Sequence, residues 1–205
     1  MKIICIGRNY LAHIAELDHD LPTEPLFFMK PESALLPPGM TFPYPAFSQK
    51  VHYETELVLR ICKQGRAVGL EWASECYDAV TVGIDFTARD VQQQCIAKGH
   101  PWEKAKAFDY SAPVGDFKKI SELKNAHDIS FGMKLNGEWV QQGHSADMIF
   151  SFDRIVSHVS NFITLEEGDY IFTGTPQGVG EVHVGDKLKL YLEDQPIFDL
   201  EINKI

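Results

Sequence analysis

No apolar run in this chain approaches the ~18 residues a membrane-spanning helix needs, so no such helix is expected. Cysteine is scarce: Cys5, Cys62, Cys76 and Cys95 form no Cys-x-x-Cys pair. That argues against a zinc site or a disulfide framework and for free, mostly buried thiols in a reducing compartment. Positive charge is short: 19 Lys and Arg stand against 29 Asp and Glu, a formal net charge of −10. Nucleic acid and anionic membrane surfaces are therefore poor partners. An anionic ligand would need local positive charge from a metal or from a few placed Lys and Arg. No Arg-rich presequence and no signal peptide is evident, so the cytoplasm is the expected compartment. No repeat or low-complexity tract breaks the 205 residues, which are expected to form one domain, 1–205.

What is present is organised around Val51-His52-Tyr53-Glu54-Thr55-Glu56-Leu57-Val58-Leu59. β-Branched, aromatic and aliphatic residues without Gly or Pro read as a strand. Strand alternation puts Glu54, Glu56 and Val58 on one face, with the two carboxylates ~7 Å apart along the chain. Bare anions on a half-buried strand repel each other and bear a desolvation cost. A divalent cation between them removes both problems; an exposed edge strand with solvated Glu is the plain alternative. A third acid, Asp85, ends the apolar run 79–84. Three carboxylates make an all-oxygen donor set, which favours Mg²⁺ or Mn²⁺ over zinc and leaves about three octahedral positions open.

Elsewhere the pattern is of many strands and few helices, an α+β chain. Residues 2–6 and 26–30 read as strands. Asn9 is placed to cap a short helix bearing His13 and Glu16, three residues apart on one face. Residues 89–98 read as a helix stopped by Gly99, with Arg89 and Gln92 on one face near Asp85. Asn136-Gly137 predicts a type I′ hairpin. Residues 152–163, with Ser151 as N-cap, predict an amphipathic packing helix. The turn 173–180 carries Gly174, Gly178 and Gly180 but no Gly-Lys-Ser/Thr, so it is not a P-loop.

His52-Tyr-Glu-Thr-Glu56, Gly83-Ile-Asp-Phe-Thr-Ala-Arg-Asp90 and Thr173-Gly-Thr-Pro-Gln-Gly-Val-Gly180 together resemble the signature of the fumarylacetoacetate hydrolase family. Gly7-Arg-Asn-Tyr10 and Pro101-Trp-Glu-Lys-Ala-Lys-Ala-Phe108 are similar to it as well. They point to its small single-domain branch of acylpyruvate hydrolases and oxaloacetate decarboxylases. The resemblance implies a mixed β-roll or barrel with a few flanking helices, and a homodimer. It implies Glu54, Glu56 and Asp85 as ligands of Mg²⁺, or Mn²⁺, and Lys106 as the active-site lysine. Lys104 is the residue most easily mistaken for it. Arg89, Gln92 and Thr175 match substrate-binding positions, and His13 with Glu16 matches a water-activating dyad. The expected reaction is cleavage of a C–C bond in an acylpyruvate, a small anionic 2-oxo acid, through a pyruvate enolate held by the metal and Lys106. Oxaloacetate decarboxylation, isomerisation of a 2-hydroxy-dienoic acid such as 2-hydroxyhepta-2,4-diene-1,7-dioate, and oxaloacetate tautomerisation share that enolate and are the alternatives. A metal-supported oxo-acid binder is the non-enzymatic one.

Overall fold

The carboxylate strand is two strands meeting at Glu54. Val51–Tyr53 (β4) joins a three-stranded sheet, and Thr55–Ile61 (β5) enters a six-stranded one. The computed structural model describes residues 1–12 and 21–204. β5 is buried at six of its seven positions, as a central strand covered on both faces must be. Leu57, Leu59 and Ile61 join the main core, and Val58 packs on the opposite face with Ile3, Cys5 and Phe172.

The six-stranded sheet runs β2 (Leu26–Lys30), β1 (Ile3–Gly7), β11 (Tyr170–Phe172), β5, β6 (Tyr77–Ile84), β8 (Lys118–Lys119). β1 and β11 are parallel; the other pairs are antiparallel. A five-stranded sheet runs β10 (Glu138–His144), β9 (Ser130–Leu135), β13 (Lys187–Leu192), β14 (Gln195–Lys204), β3 (Phe42–Tyr44). A small third sheet joins β12 (Gly180–Glu181), β4 and β7 (Thr87–Ala88). Leu57, Val82 and Ile84 of the first sheet share one apolar core with Phe131, Met133, Leu188 and Leu190 of the second. The expected α+β class and mixed sheets are present; the sheets do not close into a barrel.

Among the described residues, three α-helices with defined bounds flank them: α1 (Arg89–Lys98), α2 (Glu103–Lys106) and α3 (Phe152–Ser160). α1 has the bounds its sequence predicts and stops at Gly99. α3 begins at Ser151, whose hydroxyl accepts from the Arg154 amide, but ends three residues before the expected 163. The Asn136-Gly137 turn has φ of 52° and 93°, as a type I′ hairpin requires. Asn9 departs from its expected capping role. Its Oδ1 accepts from the Phe150 amide at 2.7 Å, and its Nδ2 donates to the carbonyls of Phe150 (3.0 Å) and Thr173 (2.8 Å). Among the described residues no helix is long and apolar enough to cross a membrane.

Candidate metal centre and active site

Five strand ends meet at one edge of the six-stranded sheet. Parallel β1 and β11 deliver Gly7-Arg8-Asn9 and Thr173-Gly174-Thr175 from their C-terminal ends. Antiparallel β5 begins there with Glu54 and Glu56, and β6 ends there with Asp85. β2 begins there with Leu26 and Phe28. Residues distant in sequence thus converge because the strand directions bring their ends to the same side.

Glu54, Glu56 and Asp85 are 6%, 2% and 1% exposed. Each offers an oxygen, and these oxygens lie within 4.8 Å of one another. Oxygens around an octahedral Mg²⁺ or Mn²⁺ are about 3 to 4 Å apart, so small rotations would bring these three oxygens onto one ion. Cations already engage two of the three acids. Lys106 Nζ lies 2.7 Å from Glu54 Oε2 and 2.6 Å from Asp85 Oδ2. Lys30 Nζ lies 2.7 Å from Asp85 Oδ1, and Arg89 Nη2 donates to Glu54 Oε1. Glu56 is different. It accepts the Gly174 amide at 2.7 Å, and no cationic side chain contacts it among the described residues. Burial, then repulsion from Asp85 and Glu54, pushes its carboxyl well above the usual range. A buried carboxylate that wants a cation, beside two more oxygen donors, fits a divalent metal. The backbone amide at 174 reaches Glu56 through a turn with φ of 103°; a Cβ there would sit 2.7 Å from Asn9 Cβ.

Lys106 is 4% exposed while Lys104 points to solvent. The segment is a helical turn, and two residues along a helix face away from each other, which separates the two lysines. Burial opposes the Lys106 ammonium, but the Asp85 and Glu54 carboxylates outweigh it and its pKa is raised. Arg89 and Gln92 share a helical face as expected, with Arg89 Nη1 donating to Gln92 Oε1 at 2.5 Å. Thr175 is buried, and its Oγ1 accepts from Gln141 Nε2 at 2.9 Å. His13 and Glu16 lie outside the described residues. Asp109 is exposed and does not line the cavity.

Several neighbours of the site stand outside the motifs visible in the sequence. Lys30 is fully buried, held by Asp85, the Phe86 and Ser111 carbonyls and the Ser111 hydroxyl. A lysine closing the apolar run Leu-Phe-Phe-Met was the available signal. Gln141 ties the amide of Thr55, at 2.9 Å, to Thr175. It follows an irregularity in the β9–β10 register, where alternation counted along the strand fails. His52 Nδ1 accepts from Arg89 Nε at 3.4 Å. Burial, then the Arg89 charge, lowers its pKa to about 4, so the ring is neutral at neutral pH.

Glu56 makes the stability of the fold depend on pH. Its folded pKa is raised above the unfolded value near 4.5. The associated stability is complete below that value and is lost as pH rises through the folded pKa. In chelator, the melting temperature should fall with rising pH above ~4.5 more steeply in wild type than in Glu56→Gln. Saturating Mg²⁺ or Mn²⁺ should remove that excess slope and raise the melting temperature. Identical slopes for the two chelated proteins would show that Glu56 bears no such strain.

Three buried carboxylates gathered at strand ends of mixed sheets form a site that could hold a divalent metal. The chain belongs to the fumarylacetoacetate (FAA) hydrolase C-terminal family, whose model matches residues 2–205. It is 42% identical over 188 residues to the mitochondrial oxaloacetate tautomerase of Bos taurus, covering 92% of this chain and 85% of that protein. The structure of fumarylpyruvate hydrolase from Pseudomonas aeruginosa, in complex with Mn²⁺ and pyruvate, is 36% identical, with a TM-score of 0.93 and coverage of 100% and 90%. A 5-carboxymethyl-2-hydroxymuconate delta-isomerase from Mycobacterium smegmatis is 31% identical, with a TM-score of 0.86 and coverage of 100% and 79%. Its relatives are thus enzymes named as tautomerases, hydrolases and isomerases.

Proposed function

We propose that this protein is a divalent-metal-dependent enzyme that interconverts the keto and enol forms of a small 2-oxo acid, with oxaloacetate the first candidate. The observation that supports it is the Lys106 ammonium, buried and within 2.7 Å of two of the three clustered carboxylates. Mg²⁺ or Mn²⁺, held by Glu54, Glu56 and Asp85, would act as a Lewis acid on the 2-oxo carboxylate end. Lys106, held beside that donor set, would stabilise the negative charge that develops on the C2 oxygen. Arg89, Gln92 and Thr175 hold the adjoining carboxylate, and Lys30 fixes Asp85. His13, oriented by Glu16, takes the proton from C3, and a proton returns to the C2 oxygen. Atoms are conserved: one C–H bond is exchanged for one O–H bond.

The Pseudomonas aeruginosa relative supports a second reading, acylpyruvate hydrolysis. There His13 would take its proton from water, which attacks the distal carbonyl, and the C–C bond would break to leave pyruvate enolate and a carboxylic acid. The cytoplasm and a homodimer remain part of the proposal.

Loss of enol-oxaloacetate, followed by ultraviolet absorbance, tests the first reading against pyruvate release from acetylpyruvate and from oxaloacetate. The expected result is metal-dependent tautomerisation at least ~10³-fold above background, abolished by chelator. Higher kcat/KM for pyruvate release from acetylpyruvate would establish the hydrolase. Faster pyruvate release from oxaloacetate than tautomerisation would establish a decarboxylase. No turnover of any substrate would leave a binding protein.

A further inference from the structure

The five-stranded sheet reaches the candidate site through Gln141 of β10, a side chain 1% exposed. The glycine-rich turn lies directly against that strand. A Cβ on Gly178 would sit 2.3 Å from the Val140 carbonyl oxygen, so the approach is open only to glycine.

Three hydrogen bonds fix which way the Gln141 amide faces. Its Oε1 accepts the Thr55 amide at 2.9 Å. Its Nε2 donates to Thr175 Oγ1 and to the Pro176 carbonyl, both at 2.9 Å. Exchanging oxygen and nitrogen would set N–H against N–H at Thr55 and carbonyl against carbonyl at Pro176. Gln141 therefore donates to the threonine and cannot accept from it.

A hydroxyl carries one hydrogen. With its oxygen accepting from Gln141, Thr175 must direct that hydrogen elsewhere. Among the described residues the other partner of Oγ1 is the Pro176 carbonyl. It is 3.5 Å away and already bonded to Gln141, whereas O–H···O bonds span roughly 2.5–3.0 Å. Thr175 is 4% exposed and lines the cavity beside Glu54, Glu56 and Asp85. Buried polar hydrogens are paired as a rule, and here the missing acceptor falls to a ligand.

We propose that Gln141 is a positioning residue: it holds the Thr175 hydroxyl as an obligate donor to a carboxylate oxygen of the bound 2-oxo acid. This rests on the 2-oxo acid reading above and adds the residue that orients its carboxylate contact. The metal donors are held independently of it. In the β5–β6 ladder Thr55 pairs with Ile84 and Glu56 with Gly83, and the Glu54 carbonyl accepts the Asp85 amide at 2.8 Å.

Calorimetry on wild type, Gln141→Met, Thr175→Val and the double variant measures Mn²⁺ affinity, then pyruvate affinity of the Mn²⁺-loaded protein. Methionine keeps the volume and removes the donors. Each single variant should weaken pyruvate by about 10- to 100-fold, the worth of one charge-assisted hydrogen bond, and leave Mn²⁺ affinity within about threefold. The double variant should match Thr175→Val within about twofold, because Gln141 acts through the hydroxyl. Three results would overturn the assignment: unchanged pyruvate affinity in Gln141→Met, losses that multiply in the double variant, or Mn²⁺ affinity falling in step with pyruvate. Gln141→Met also leaves the Thr55 amide unpaired, at a cost in stability. Neutron diffraction from deuterium-exchanged crystals of the wild-type Mn²⁺–pyruvate complex needs no variant. It should show the Thr175 deuterium directed at a pyruvate carboxylate oxygen; a deuterium directed at Gln141 or the Pro176 carbonyl overturns the assignment equally. Wild type that binds no pyruvate removes the 2-oxo acid reading and this inference together. Gln141-dependent pyruvate binding without turnover of oxaloacetate supports Gln141 and removes only the enzymatic reading.

Discussion

Lys106→Met is expected to lower kcat by about 10²- to 10³-fold, the usual effect of removing one group that meets developing charge, while tightening metal binding. The two effects have one cause. The ammonium lies 2.7 and 2.6 Å from oxygens of Glu54 and Asp85, the carboxylates that would hold a metal, so the two cations compete for the same oxygens. Methionine keeps most of the volume of the buried side chain and removes the competitor. Charge-assisted hydrogen bonds are worth about 1.5–3 kcal/mol, so Mn²⁺ affinity should rise roughly tenfold or more. Steady-state kinetics and a calorimetric Mn²⁺ titration on one preparation check both. Unchanged kcat, or weaker Mn²⁺ binding, would contradict the electrostatic role given to Lys106.

Asp85→Asn should give the largest combined loss. Asp85 is 1% exposed and holds two ammonium groups, Lys30 Nζ at 2.7 Å and Lys106 Nζ at 2.6 Å. The amide keeps the shape but cancels the charge. Lys106 retains Glu54, whereas Lys30 keeps only the carbonyls of Phe86 and Ser111 and the Ser111 hydroxyl. Breaking a buried ion pair from one side costs about 3–5 kcal/mol, or roughly 10 °C in melting temperature for a chain of this size. Activity should fall sharply with the lost carboxylate charge, which both the metal and Lys106 would use. Lys30→Met in the same background should recover part of the stability and none of the activity. A coupling energy above ~1.5 kcal/mol in the double-mutant cycle is expected; simple additivity would mean that Lys30 and Asp85 do not stabilise each other.

Local order was legible in the chain itself. Alternation along residues 55–61 placed Leu57 and Leu59 opposite Glu56 and Val58, and the main core and the smaller cluster divide them that way. The bounds of α1, the Asn136-Gly137 turn and the Ser151 cap came from propensities and capping rules that act within a few residues. The three acids could be grouped because Glu54 and Glu56 share one strand face and Asp85 ends an apolar run, each within a recognisable motif.

Other features only the tertiary structure decided, and the reason is physical. Whether Glu54 continues its strand depends on which sheet each half joins, and the chain changes sheets there. Asn9 reads locally as a helix cap, but the amide of Phe150 and the carbonyl of Thr173 arrive from more than 140 residues away. Lys30 looks like a surface lysine ending a strand until β6 brings Asp85 to it. Lys104 and Lys106 are equivalent until the backbone chooses a helical turn over an extended one. Composition, periodicity, caps and turns are short-range effects, and the sequence determined them. The pairing of charges across strand ends is long-range, because a buried ion's partner is set by the fold's topology rather than by its neighbours in the chain.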